Sequence, residues 1–403
     1  MVRAVGFAIA MIPLVKPRLP GNSGPADVFM VFAVLVVLLW ATGEGRSLRV
    51  PYAIGAVVLM TGGAVAGLVA ARAAATMLVV LQEIHLLLFA AAVATVARTP
   101  RAIAALRKAW VASALGWAAL VILAVFLGIQ PLIDATANRG TRVHLFFQNP
   151  NITGNFFMVA FFVAASSSWP RTRVLRVVAC VVLLWGMLLT GSNAAILGTI
   201  LGGFVAIAWW LWQRFGSSAA VVFVAVALGF AALGGIAVRE RDVIGEASES
   251  ENALIRYSIG RAERSANNRQ ELFASQMELY QQSHFLGIGP FGTRDALGAS
   301  GESGVRSSHN DYLATLVERG PLGVLGLLLL AGAIWLRVAR SAGHRLAPAF
   351  VRVAGTGAAT VAVAVAFASA ATTHEILHYR HLWAWLGLIA AVQWWGSKER
   401  APS

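Results

Sequence analysis

The sequence predicts an all-α polytopic membrane protein of about twelve transmembrane helices with one large exterior loop subdomain. Three observations predict it. Of 403 residues, 58% are hydrophobic and only 12% charged, about half the roughly 25% charge of a soluble globular chain. Apolar stretches recur at about the 20-residue length that crosses a bilayer core of roughly 30 Å. Basic residues gather on alternate connections, as they do on short cytoplasmic loops.

The first apolar run, Ala4 to Val15, stops at Lys16-Pro17-Arg18-Leu19-Pro20. A signal peptide is the alternative, but a single Arg precedes the run and no small-residue cleavage site follows cleanly, so a first span, short or tilted, is expected. Further spans are expected near residues 26–41, 51–70, 74–97, 109–128, 154–168, 174–190, 194–212, 217–238, 311–336, 350–372 and 382–396. The chain then divides into residues 1–238 with nine helices, an exterior loop subdomain at 239–310, and residues 311–403 with three helices.

Twelve spans put both termini in the cytoplasm. That face then carries seventeen basic residues, among them Arg46, Arg49, Arg98, Arg101, Arg107, Lys108, Arg171, Arg173, Arg176, Arg337 and Lys398, against Glu44 and Glu399. Fifteen basic and sixteen acidic residues remain elsewhere, so nearly all of the formal +14 sits on one face. Topology and attraction to anionic membrane lipids account for this charge. It lacks the basic groove with interleaved aromatics of a nucleic-acid binder, and nucleic acid is not an expected partner. The single cysteine, Cys180, lies within a span and excludes a disulfide within the chain. The eight histidines show no HExxH spacing and no CxxC pair is present, so no metal centre or other cofactor is expected.

Chemistry is expected in the loop, because about seventy residues from Arg239 to Asn310 are too many for a structureless connection. Glu240 to Glu251 is acidic and Ser-rich, reading as a solvated segment or a lid. From Asn268 the pattern turns helical, with Leu272, Phe273, Gln276, Leu279 and Tyr280 on one face and Asn268 and Glu271 at capping-box spacing. Arg269 would then open the helix, where free amides and a guanidinium together suit a phosphate; a surface arginine is the plain alternative. Ser283 to Gly292 holds three glycines and Pro290, which enforce a tight turn. Without a following Lys-Ser or Lys-Thr it is no nucleotide P-loop. His309, next to Ser307 and Ser308, stands where the loop returns to the membrane. A neutral imidazole there can take a proton from a hydroxyl, or simply hydrogen-bond to the loop.

His309-Asn310, nine residues, then Gly320-Pro321-Leu322-Gly323 gives the spacing HNx9GxxG. Arg269 and the Gly287-Ile288-Gly289 turn precede it, Phe146-Phe147-Gln148-Asn149-Pro150-Asn151 starts an earlier span, and another span ends at Thr190-Gly191-Ser192. In this order the pieces resemble the O-antigen ligase and O-antigen polymerase superfamily of membrane glycosyltransferases. The resemblance implies a type C glycosyltransferase-like fold in the bacterial cytoplasmic membrane. It also implies transfer of a glycan from an undecaprenyl-diphosphate-linked donor to a lipid- or carrier-linked glycan acceptor on the exterior face. It assigns Arg269 to the diphosphate, His309 to the acceptor hydroxyl, and Asn310 to positioning the ring or a sugar hydroxyl.

One departure stands out. The superfamily usually carries Ser-Arg where this chain has Ser192-Asn193. Arg139, Arg142 and Arg306 are the candidate replacements for that charge, with Asn193 left as a substrate-binding candidate. His374, Glu375, His378, Arg380 and His381 form a further cluster before the last span, as a basic site or as interfacial anchors. Glu83 and His85 lie within a span, where ionisable groups are expensive; Glu83 is expected to pair with an arginine of another helix. The HNx9GxxG spacing leans toward the ligase. A polymerase joining carrier-linked repeat units is the alternative, and a carrier-lipid flippase or transporter the third reading, although no half-to-half repeat is visible.

Overall fold

The computed structural model describes residues 1–16, 23–70, 72–129, 133–134, 142–147, 149–240, 249, 262–299, 310–342 and 346–399. In chain order the helices are α1 (Val2–Ala10), α2 (Pro25–Gly43), α3 (Ala53–Leu68), α4 (Ala73–Val96), α5 (Pro100–Leu127), α6 (Pro150–Ala165), α7 (Arg173–Leu189), α8 (Asn193–Phe215) and α9 (Ser217–Glu240), then α10 (Ala262–Gln282), α11 (Gly292–Ala299), α12 (Asp311–Ala342), α13 (Pro348–Ala354), α14 (Gly357–Ala371) and α15 (Arg380–Lys398). A two-residue hairpin pairs β1 (Ile133–Asp134) with β2 (Arg142–Val143) antiparallel, Asp134 opposite Arg142.

Most helix boundaries follow the apolar stretches, because in lipid a helix satisfies every backbone N–H and C=O internally, but α5 begins nine residues before its expected span and α12 runs six residues past its own. Among the described residues, α2, α4, α5, α8 and α12 are long and apolar enough to cross a membrane. The expected span at 350–372 is broken: α13 and α14 meet at 45°, at Gly355 with φ +88°, and count as a sixth crossing if taken together. The sixteen-residue α3 and α6 reach only about 24 Å. Composition thus suggests more crossings than helix length alone supports.

At nine residues, α1 covers about 14 Å, and the turns at Met11–Val15 carry the chain to the start of α2, where the Ala26 amide donates to the Leu14 carbonyl at 2.8 Å. Gly6 lies against Leu106 and Ala109, and Ser113 Oγ donates to the Ala10 carbonyl at 2.6 Å. Helix α1 therefore runs in the same direction as the first half of α5.

The chain forms two compact units, one of residues 1–113, 270–354 and 367–403, the other of residues 114–269 and 355–366. They interleave in sequence and do not coincide with the division at 238 and 310. In the first unit α3 and α12 share a seam of small residues. A Cβ on Gly62 would lie 2.5 Å from the Gly323 nitrogen, one on Gly326 2.2 Å from the Leu59 nitrogen, and one on Gly55 2.5 Å from the Leu330 nitrogen. Apolar burial gives little drive between helices in lipid, so close backbone approach of this kind holds them together. In the second unit Gly198 and Gly202 of α8 give α14 the same access, at the carbonyls of Ala366 and Ala362.

Candidate active site

Helix α12 begins with a side-chain cap. The Asn310 Oδ1 accepts the amides of Tyr312 at 2.9 Å and Leu313 at 3.1 Å, two of the donors that a helix start leaves without partners. That oxygen serves the helix start, and the side-chain NH2 is the part of Asn310 that can donate to a hydroxyl. The cap also fixes where the chain leaves the helix axis, one residue after His309. His309 and Arg306 lie outside the described residues, as do Arg139, Gln148 and most of the acidic segment at 240–251. Next to the cap, the buried Asp311 carboxylate accepts the amides of Ile376 at 2.7 Å and Leu377 at 3.2 Å. The start of α12 is thereby tied to the connection between α14 and α15.

Nine residues after Asp311 the helix breaks. Gly320 has φ +61° and ψ −165°, a region that only glycine enters readily, and Pro321 has no N–H to give the Val317 carbonyl. The loop turn supplies what the helix lacks. The Ile288 amide donates to the Val317 carbonyl and the Gly289 amide to the Glu318 carbonyl, each at 3.0 Å, while the Phe291 amide donates to the Glu318 carboxylate at 3.0 Å. Gly287 and Gly289 sit at φ +95° and +86°, and a Cβ on Gly287 would lie 2.8 Å from the Gly320 nitrogen. The Gly287-Ile288-Gly289 turn and the Gly320-Pro321 break thus form one structure. Gly323 belongs to the α3 seam, so both glycines of GxxG serve backbone packing.

Helix α10 leads into this turn and carries Arg269, but it starts at Ala262, which makes Arg269 its eighth residue. The expectation that Arg269 opens the helix is corrected: its amide lies in the helical ladder and cannot join the guanidinium on a phosphate. In the second unit, Arg142 sits in β2 opposite Asp134, and Asn193 is the first residue of α8, behind the cap Ser192. Asn149 caps α6 in the same way, accepting the Asn151 amide at 2.8 Å, and Pro150 follows at the first helical position, where a missing N–H costs nothing. A Cβ on Gly154 would meet Ser192 Cβ at 2.7 Å and Thr190 Oγ1 at 2.8 Å. The Asn149-Pro150 and Thr190-Gly191-Ser192 segments, distant in sequence, are therefore neighbours.

Two buried ion pairs brace the first unit. Glu83 of α4 takes both terminal nitrogens of Arg319, the Nη1 contact at 2.8 Å, and both residues are buried. Arg319 is the partner expected for Glu83 and directly precedes Gly320. Sequence reading left it unnamed, although an arginine one residue before a glycine-proline break at the edge of an apolar run was a visible signal. Asp27 of α2 takes the Arg380 Nε at 2.7 Å and its Nη2 at 2.5 Å, with His85 Nε2 4.0 Å away. Arg380 is thus an anchor between α2 and α15. His381 is fully buried and stacks on Phe367 with ring centroids 6.0 Å apart. His378 packs its ring edge on Tyr379 at 5.0 Å and faces Phe291 of the loop turn at 6.3 Å. Burial, reinforced by Arg380, lowers its pKa to about 4, so at neutral pH it is an uncharged imidazole. Among the described residues, no three His, Cys, Asp or Glu side chains converge as a metal site.

Comparison with known proteins adds one finding. Residues 178–330 match the family model of the O-antigen ligase. The matched stretch holds Asn193, Arg269, the Gly287 turn, His309, Asn310 and the Gly320–Gly323 break, whereas the Asn149 cap, Glu83 and the His374–His381 cluster lie outside it. No curated protein matches the chain. Over that stretch the match bears out the resemblance to the O-antigen ligase and polymerase superfamily and supports a ligase-like glycosyltransferase in general. The helices long and apolar enough to cross a membrane fit a multi-pass membrane protein.

Proposed function

Because residues 178–330 match the O-antigen ligase family, we propose that the protein moves a glycan from an undecaprenyl-diphosphate carrier to an acceptor hydroxyl at the exterior face of the cytoplasmic membrane. The acceptor oxygen attacks the anomeric carbon as the bond from that carbon to the diphosphate oxygen breaks. The electron pair leaves with the diphosphate, and the hydroxyl proton passes to the His309 imidazole. Diphosphate is already a good leaving group, so the chief requirement is a fixed cation where charge develops. Arg269 offers a permanently charged fork for two phosphate oxygens, and Arg142, Arg306 and Asn193 are the candidates for the position where the family arginine is missing. Asn310 acts as a positioning residue by fixing the start of α12 directly after His309.

One observation carries this reading: the family match spans the whole run from Arg269 through His309 to Gly323, and the loop turn is bonded to the helix break inside that run. Twelve crossings, with the loop exterior and both termini cytoplasmic, complete the topology; the shared direction of α1 and α5 supports it. Undecaprenyl as carrier, and a ligase in preference to a polymerase, rest on the HNx9GxxG resemblance.

The test is transfer in proteoliposomes supplied with undecaprenyl-diphosphate-linked glycan and a lipid-linked acceptor. His309→Ala is expected to abolish product by mass spectrometry while donor binding survives. Arg269→Lys is expected to slow turnover because the fork is lost although the charge is kept. Undiminished transfer by His309→Ala removes the proposed base, and carrier movement across the bilayer without a new glycosidic bond identifies a flippase.

A further inference from the structure

At the end of α12 far from Asn310, the first unit builds an alternating stack of guanidinium groups and aromatic rings. The Arg98 guanidinium lies over Trp40 and over Trp395, 5.2 Å from each ring centroid. Arg49 lies over Trp395 at 5.2 Å and Trp394 at 5.9 Å. Arg337 lies over Trp394 at 4.6 Å and Tyr52 at 4.9 Å. Each of these three cations therefore lies against two rings, and Trp394 and Trp395 are each shared by two of them. Arg46 extends the stack over the outer ring, 5.2 Å from Trp40, and Lys398 lies 5.3 Å from Trp395.

Helix ends converge here: α2, α4, α12 and α15 finish at this level and α3 begins. Charge balance is poor. Among the described residues, Glu44 is the one carboxylate in an ion pair with these cations, at 2.9 Å from Arg46 Nε. Burial and the nearby Arg46 and Arg49 lower the Arg98 pKa, the sign expected of crowded cations short of a counterion. Ring faces hold the guanidinium planes and stems but do not use their edge N–H donors. Some of these donors have protein acceptors, for Arg98 Nε donates to the Thr95 carbonyl at 2.8 Å, Arg337 Nη1 to the Gln393 side-chain oxygen and Arg46 Nε to Glu44. The further donors of the cluster are suited to the oxygens of a phosphate, and tryptophans at the ends of spans lie at the depth of lipid headgroups.

We infer that this Arg–Trp stack is a binding site for the phosphate of an anionic membrane phospholipid, on the face opposite the loop that carries His309. The shared chemistry is a phosphate anion, and the level of the stack at the ends of crossing helices selects the lipid over a free ion. The inference stands apart from the transfer reaction.

Native mass spectrometry of the full-length protein in detergent, with phosphatidylglycerol or phosphatidylcholine of equal acyl chains, tests it. Retention of phosphatidylglycerol is expected to exceed that of phosphatidylcholine by about tenfold or more. Each guanidinium near a headgroup contributes about a fivefold factor. Arg49→Gln should therefore lower the preference about fivefold; if that variant does not fold, Arg46→Gln, at an exposed position, should lower it similarly. The exposed pair Arg171→Gln and Arg173→Gln should leave it unchanged. Equal retention of the two lipids, an equal loss in the Arg171 and Arg173 variants, or no loss in either stack variant overturns the inference. Displacement of the bound lipid by excess inorganic phosphate overturns it as well, by assigning the site to a free anion.

Discussion

Arg319 and Glu83 are joined by a two-nitrogen, two-oxygen ion pair buried between α12 and α4. Arg319 is also the residue before the break to which the loop turn is bonded, so the pair holds that break against the helix bundle. Glu83→Gln or Arg319→Gln leaves one buried charge without its counterion, a loss of about 3–5 kcal/mol. The double variant leaves none and should recover most of that loss. Thermal unfolding of the purified variants checks this as a double-mutant cycle; losses that simply add would mean the two charges do not depend on each other.

The Gly320-Pro321 break predicts a second effect. Pro321→Ala restores an N–H that competes for the Val317 carbonyl, which the Ile288 amide now occupies at 3.0 Å. The helix should straighten locally and release the turn, so hydrogen exchange at Ile288 and Gly289 is expected to rise while the rest of α12 stays protected. Gly287→Ala places a Cβ 2.8 Å from the Gly320 nitrogen at a φ that disfavours alanine, and should loosen the same contact from the other side. Unchanged exchange in both variants would mean that the turn is held by something other than these bonds.

Asn310 separates capping from substrate contact. Asn310→Asp keeps an oxygen for the Tyr312 and Leu313 amides and should retain stability and most turnover. Asn310→Ala loses the cap, about 1 kcal/mol, and frees the position of the preceding residue, so kcat is expected to fall more than KM. An Asp variant as impaired as the Ala variant would point to a donor role for the Asn310 amide.

Much of this architecture was legible because the bilayer imposes simple rules. Apolar runs placed most of the helices within a few residues, α5 starting nine residues before its expected span, and charge on alternate loops predicts their direction. The Glu83 pairing was legible in kind, since a buried carboxylate needs a cation, but naming Arg319 required knowing that α4 and α12 approach one another. The break of α13 from α14 at Gly355 was hidden in a continuous apolar stretch. The start of α10 was misread because Asn268 and Glu271 have capping-box spacing while already lying inside a helix; a motif of two residues does not outweigh a polar helix that began at Ala262. The reason for GxxG was not legible, for Gly320 and Gly323 are required by backbone contacts that no single sequence displays.

The buried His378 predicts a pH effect. Its folded pKa, about 4, lies below the ordinary histidine value near 6.5, so the unfolded chain binds this proton more readily than the folded one. Its contribution to stability is complete above about pH 6.5 and is lost progressively as the pH falls toward 4. His378→Gln removes the titrating group, and the loss of thermal stability between pH 7 and pH 5 is expected to be smaller in the variant than in the parent. An identical loss would assign acid sensitivity to other groups.

Helix α1 sets the side of the N-terminus. Gly6 lies beside Leu106 and Ala109, and Ala10 accepts from Ser113, so the two helices advance together and must begin on the same side. The start of α5 carries Arg101, Arg107 and Lys108, and the loop before it carries Arg98, whose guanidinium lies over Trp395 three residues before the end of α15. The start of α1, the start of α5 and the end of α15 therefore belong to one basic face. Reporter fusions before Met1, within the α4–α5 connection and after Ser403 are expected to give the cytoplasmic signal, and an insertion at residues 241–248 the exterior one. A fusion at Met1 that reports the opposite side from the α4–α5 connection would show that α1 enters and leaves the membrane on the same face, and would remove one crossing from the twelve proposed.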